Sequence, residues 1–126
     1  MNESKEEIVK NFIKAYNSFD IDSMLACLHP GVRFKNISGG EVNAQTIGKE
    51  DFEILAKRSV TMFKEREQKV IAIKEMNDKV NIEIQYHAIA AVDLPNGLKA
   101  GDSINIKGNS EYIFKDGLIY SIVDES

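Results

Sequence analysis

The sequence predicts an α+β domain in which N-terminal helices cover the apolar face of an antiparallel sheet. Three observations carry this. Apolar residues recur at steps of three and four through the first 28 positions and again from Lys49 to Lys64. From Val70 onward, apolar and polar residues alternate with a period of two. Turn residues separate those alternating runs, and both prolines, Pro30 and Pro95, lie outside them. Helical spacing followed by strand spacing segregates the two element types, and an alternating sheet must bury its apolar side against something.

The elements follow in order. Ser4-Lys5-Glu6-Glu7 has the capping-box pattern, and Ile8, Phe12, Ala15, Tyr16 and Phe19 make one helical face behind it. Asp20 can cap a second, shorter helix with Ile21, Met24, Leu25 and Leu28 on its apolar side, which Pro30-Gly31 ends. Val32 to Ile37 reads as a strand, Ser38-Gly39-Gly40-Glu41 as a turn, and the stretch to Ile47 as irregular. Gly48 precedes a third helix over Lys49 to Lys64. Strands are expected over Val70 to Met76, Lys79 to Val92, Ser103 to Lys115 and Leu118 to Asp124. Asn77-Asp78 and Asp116-Gly117 turn the chain between neighbours, and Pro95-Asn96-Gly97 opens the longer loop. No repeat or linker interrupts residues 1–126, so a single domain is expected.

Composition removes several functions. The 126 residues carry 16 Lys and Arg against 20 Asp and Glu, a net charge of −4, with no basic stripe of the kind nucleic acid demands. The longest apolar run, Ala88 to Val92, is far shorter than the roughly 20 residues of a membrane helix. One cysteine (Cys27) and two histidines (His29, His87) cannot form a closed zinc site, and no metal or cofactor is expected. The polar, acidic opening MNESKEE is unlike a secretory signal, and a cytoplasmic location is the expectation.

Parity sorts the strand residues. Val80, Ile82, Ile84, Tyr86, Ala88, Ala90 and Val92 share one face of their strand, and Ile104, Ile106, Gly108, Ser110, Tyr112 and Phe114 share one face of the next. His87 falls on the other face, with Gln85 and Glu83. Ile71, Ile73, Ile89 and Ala91 are read as an apolar strip on the side away from the helices, which suggests a homodimer through the sheet. The charges from Lys57 to Lys69, including Arg66, read as an exposed, mixed-sign surface. His29, at the expected end of the second helix, is placed to meet the negative end of that helix's dipole.

The order of elements, the string AYNSFDIDSMLACLHPGVRF, the Gly48-led helix and the closing FKDGLI resemble the NTF2-like superfamily, above all its SnoaL-like and ketosteroid-isomerase-like members. The resemblance spans nearly the whole chain. It implies a cone: a strongly curved sheet wrapped around the first helix, enclosing an apolar pocket with one open end and often dimerising through the outer sheet face. In ketosteroid isomerases a helix-borne tyrosine, an aspartate base and a protonated aspartic acid act together. Carried over one by one, these positions fall on Phe12, Asn36 and Ser110. Phenylalanine donates no hydrogen bond, and an amide takes no proton near neutral pH. The classical isomerase chemistry is therefore not expected.

The candidate residues each have a functional and a structural role open to them. Tyr16, one turn beyond Phe12, is either a pocket hydroxyl or a core ring with its tip at the rim. By the resemblance, Leu118, Tyr120, Ile122 and Asp124 face the pocket, which makes Asp124 either a base in an apolar mouth or a solvated residue near the terminus. Ser110 is a ligand hydrogen-bonder or a satisfied core hydroxyl, and Asn36 orients a ligand or bonds local backbone. Tyr86 and Tyr112 are core packing unless a cavity survives between them. The expected function is binding of a small apolar organic molecule, with cofactor-free proton transfer on a carbonyl compound if the chain is an enzyme. Asp124, or His87 if its strand slips by one residue, would then be the base and Tyr16 a donor, with Phe12, Asn36, Tyr86, Ser110 and Tyr112 around the ligand. The alternative is a non-catalytic dimeric binding or scaffold domain with a filled core.

Overall fold

The Ser4 hydroxyl accepts a hydrogen bond from the Glu7 amide at 3.1 Å and starts helix α1, Lys5–Asn17. The computed structural model describes residues 4–95 and 97–126, so the opening Met1, Asn2 and Glu3 and the loop residue Asn96 lie outside the described residues. Asp20 accepts from the Ser23 amide and caps α2, Ile21–Ala26. The chain then forms β1 (Leu28–Ser38), β2 (Glu41–Ile47), α3 (Lys49–Val60), β3 (Phe63–Met76), β4 (Lys79–Ala90), β5 (Ser103–Lys115) and β6 (Leu118–Glu125).

The six strands form one curved, unclosed sheet in the order β2-β1-β6-β5-β4-β3. All neighbours are antiparallel except β1 and β6, which run parallel, with Phe34 opposite Ile122 and Asn36 opposite Asp124. Val9, Phe12 and Ile13 of α1 are buried with Met24, Leu28, Phe52, Val80, Tyr112, Ile119 and Ile122 in one core. Burying each such side chain stabilises the fold by about 1.5–3 kcal/mol before entropy is subtracted. The Phe12 ring lies 6.0 Å from Tyr112, edge to face, and 6.3 Å from Phe52.

Several elements differ from the sequence expectation. β1 begins at Leu28, four residues before the expected strand, so Leu28 and His29 belong to the sheet. The ring of His29 packs edge-on against Tyr120, its Nδ1 accepts from the Gly31 amide at 2.9 Å, and it caps no helix. The stretch before Ile47 is an ordered edge strand, β2, held by pairing with β1. α3 stops at Val60, and the charged segment after it is the first half of β3. Arg66, read as a surface charge, is only 4% exposed. A β-bulge between Val70 and Ala72 shifts the pairing by one residue. Ile73 therefore packs on the core with Val70, while Ile71 is exposed. Ile106 shares the inward parity of Ser110 yet is 43% exposed, because β6 ends opposite Asn109 and leaves it unflanked on that side.

Gly108 lies on the inward face where the chain's end crosses it. A Cβ there would sit 3.1 Å from the Glu125 carbonyl oxygen. Gly108→Ala should therefore push the end of β6 outward and cost about 1–3 kcal/mol, as overpacking does. Urea unfolding of both forms checks this, and an unchanged midpoint would show that the end of β6 yields freely.

Candidate functional site

Residues opposite one another in neighbouring strands point to the same side of a sheet. The pairings place Asn36, Asp124, Ser110, Ile82 and Ile73 in one row across β1, β6, β5, β4 and β3. Ile82 and Ser110 are buried on the side facing the helices, which fixes the side to which the row points. α1 carries Tyr16 toward the same region.

Within the row, the Ser110 hydroxyl donates to Asp124 Oδ1 at 2.6 Å. Asp124 keeps a partial opening to solvent, but its carboxyl is enclosed by protein atoms. Desolvation raises its pKa from 3.8 to about 6, and the Ser110 hydrogen bond pulls the other way. The cost of burial wins because no cation pairs with this carboxylate within 4.0 Å among the described residues.

Beside it is a second polar pair. The hydroxyls of Tyr16 and Tyr86 lie 2.9 Å apart, and their ring centroids 6.4 Å. Burial raises the pKa of both. Asp124, when ionised, adds to that rise at Tyr16, Tyr86 and Tyr112, so all three phenols lie within its field. Tyr112 is 1% exposed and its pKa is held well above the usual value, first by burial.

The structure brings Asp124, Ser110, Tyr16 and Tyr86 together. It places Phe12 and Tyr112 in the core behind them. Asn36 is half-buried next to Asp124, with its Nδ2 donating to Asn43 Oδ1 at 2.7 Å, a local bond across the β1–β2 hairpin. His87 lies on the other face, its Nδ1 2.9 Å from Asn105 Oδ1 and its Nε2 3.6 Å from Glu65. Two residues were not singled out from the sequence. Arg66 donates from Nε to the Tyr16 carbonyl and stacks over the Tyr16 ring. Gln68, opposite Tyr86 in β3, has a buried Oε1 without a hydrogen-bond partner among the described residues. Only strand pairing could have revealed either one, since their own segment reads as a run of charges.

Two grooves open on the surface. One of about 450 Å³ runs over the outer face of the sheet, along Lys74, Asn81, Glu83, Asn109, Glu111 and Val123, and Ile73, Ile82 and Ser110 of the row also contribute to its wall. A wider one, about 1030 Å³, lies at the opposite end of α1, between Ile8, Cys27, Asp78 and Phe114. Neither is lined by Tyr16, Tyr86 or Asp124. Among the described residues, no three His, Cys, Asp or Glu side chains form a metal-binding group, and no helix is long and apolar enough to cross a membrane.

The family model of the SnoaL-like domain matches residues 9–122. The chain belongs to the SnoaL-like domain family. Its six-stranded sheet and N-terminal helices form the NTF2-like cone. No curated protein matches this SnoaL-like chain. Among solved structures, it is similar to a Pseudomonas putida protein proposed to be a polyketide cyclase, at 19% identity and a TM-score of 0.79, covering 98% of this chain and 91% of that one. It is also similar to a Catenulispora acidiphila protein of ketosteroid isomerase-like fold in complex with trimethylamine, at 15% identity and a TM-score of 0.77, covering 96% and 85%. An NTF2-like protein of unknown function from Burkholderia pseudomallei has 19% identity and a TM-score of 0.77, covering 94% and 87%. At these identities the likeness is one of fold.

The raised pKa of Asp124 has a signed consequence for stability. Between about pH 4 and about pH 6 the folded chain holds a proton at Asp124 that the unfolded chain has released. The contribution therefore favours the fold below the unfolded value and is lost as pH rises through the folded one, by about 3 kcal/mol in all. Asp124→Asn should remove this fall and be the more stable form at neutral pH. Urea melts at acid and neutral pH, with an NMR titration of the carboxyl, read it out. An ordinary carboxylate titration and parallel melts would mean that Asp124 is solvated.

Proposed function

We propose that this SnoaL-like domain binds a small, mostly apolar carbonyl compound at the open end of its cone, and that Asp124 moves a proton on it. The observation that carries the reading is the Asp124 carboxyl, enclosed by protein atoms on a single hydroxyl partner and within electrostatic reach of a hydrogen-bonded pair of phenols; its burial accounts for a pKa raised to about 6. A base works best when its pKa lies near the working pH, and desolvation has brought Asp124 close to that range. The carboxylate takes a proton from the carbon next to the carbonyl. The bonding pair moves onto the carbonyl oxygen, which becomes an enolate oxygen held by the Tyr16–Tyr86 pair. Asp124 then returns the proton to a second carbon, which is isomerisation; to the alkoxide formed when the enolate carbon bonds to a second carbonyl, which is cyclisation; or to the oxygen released when a β carbon–oxygen bond breaks, which is elimination. Base and donors are all side chains, so the reaction calls on no cofactor. Ser110 orients the carboxyl through its 2.6 Å hydrogen bond. Asn36 lines the β1 side of the mouth, and Phe12 and Tyr112 form its apolar floor.

Small enolisable ketones and β-dicarbonyls in deuterated water test this. The wild type should exchange their α-protons, and Asp124→Asn should lower the rate by about 100- to 10,000-fold, the usual worth of a general base. Equal exchange by both forms would remove Asp124 as the base.

A second reading is a non-catalytic dimeric domain with a filled cone. What favours it is that Tyr16 is already hydrogen-bonded to Tyr86 and Ser110 to Asp124, and that neither described groove is lined by Tyr16, Tyr86 or Asp124. In either reading the outer face of the sheet, with its groove and the half-exposed Ile71, is the proposed surface of a homodimer. Sedimentation at tens of micromolar should give a dimer, and Ile71→Lys should shift it toward monomer. A wild-type monomer at that concentration would count against the dimer.

A further inference from the structure

Arg66 carries a positive charge into the interior with 4% exposure. Such a charge is costly unless something compensates it. No carboxylate lies within 4.0 Å of it among the described residues. Its neighbours along β3, Glu65 and Glu67, point to the opposite face by strand alternation, and Glu65 sits near His87 there. What Arg66 does touch is neutral. Its Nε donates to the Tyr16 carbonyl at 2.9 Å, and Nη1 donates to the Ser59 hydroxyl at 3.1 Å. Its Cζ lies 3.6 Å from the centroid of the Tyr16 ring and 4.6 Å from that of Phe19. The end of α1 supplies only a partial negative charge through its last carbonyls.

No carboxylate therefore neutralises the charge, and it lies against the ring whose hydroxyl heads the Tyr16–Tyr86 pair. Those two hydroxyls share one hydrogen bond at 2.9 Å, in which only one phenolic proton is used. The other proton remains for an outside acceptor. A negative oxygen there would take that proton as a hydrogen bond and would offset the guanidinium through the ring.

We propose that Arg66 makes the Tyr16–Tyr86 hydroxyl pair a subsite for an anionic oxygen, an enolate or phenolate, in preference to a neutral carbonyl or hydroxyl. This rests on the reading that the ligand's oxygen meets that pair. It adds the charge state of the ligand and a positioning residue that acts through Tyr16. The guanidinium attracts an anionic oxygen at the pair and has no such attraction for a neutral one, and in a desolvated site that difference is expected to be about tenfold or more in relative affinity.

The probe is para-nitrophenol, whose ionised form absorbs visible light, titrated onto the full chain across its own ionisation. The wild type should bind the phenolate about tenfold or more tighter than the phenol. Arg66→Met should abolish most of that preference, and Arg66→Lys, which keeps the charge, should retain the larger part. A purely structural arginine would weaken both forms of the probe equally. Preference of the wild type for the neutral phenol, absence of binding at millimolar probe, or an unchanged ratio in folded Arg66→Met would each overturn the proposal. If Arg66→Met fails to fold, the wild-type ratio and the Arg66→Lys ratio decide it. Asp124→Asn should leave the phenolate preference in place or increase it, so a failure of Asp124 as the base is read separately from a failure at Arg66.

Discussion

The parallel pairing of β1 with β6 is the constraint on which the rest of the structure depends. The other strand neighbours in the sheet are antiparallel, and four of those strands, β3 to β6, follow one another in the chain. The β1–β2 hairpin could not join them without this one pairing. It sets β6 between two partners, so a strand close to the C-terminus becomes interior to the sheet. Ser126 donates to the Ile37 carbonyl, and its own carbonyl accepts from Gly39, which ties the end down. Asp124 is thereby held among protein atoms, where a carboxyl near a chain terminus would ordinarily fray into water.

From that placement the electrostatics follow. The carboxyl has one hydroxyl partner and no cation, so its neutral form is favoured. The one buried guanidinium among the described residues, Arg66, is spent on a helix end, a serine and two aromatic rings. Had Arg66 and Asp124 met as an ion pair, each would have neutralised the other, and the carboxyl would titrate like an ordinary acid. Kept apart, they leave the interior with a proton acceptor on one side and a cation behind a phenol on the other.

Much of this was legible in the sequence. The span Ser103–Lys115 could be read to the residue because its alternation is unbroken and Asp116-Gly117 closes it. The inward set Val80, Ile82, Ile84 and Ala88 followed from parity alone, as did the side taken by His87. β2 was not legible, because an edge strand whose only buried residue is Thr46 has no apolar face to announce it. The first half of β3 was hidden by its charges, and a side chain such as Arg66 buries where α1, far along the chain, and the nearby end of α3 both offer it acceptors. The bulge after Val70 inverted the parity of Ile73, a shift that composition does not encode. The candidate residues Asp124, Ser110, Tyr16 and Tyr86 could be named from parity and resemblance. Their two hydrogen-bonded pairs could not: Tyr16 and Tyr86 are far apart in sequence, and Ser110 meets Asp124 across a single hairpin only because an irregularity between Ile113 and Phe114 shifts its register.

The central parallel pairing also bears on the order of assembly. Leu28 meets Ile119 and Asn36 meets Asp124, contacts that span most of the chain. Such non-local pairings cost loop entropy before they return any stabilisation, and they slow folding. Helix α1 can form early from its own cap, and the β3–β4 and β4–β5 hairpins can zip locally. Until β6 arrives, however, β1 and β5 both present bare edges, and the row that holds Asn36, Asp124 and Ser110 does not exist. The polar centre therefore rests on the longest-range strand pairing of the sheet, and a chain in which that pairing is open would present two bare strand edges to its neighbours.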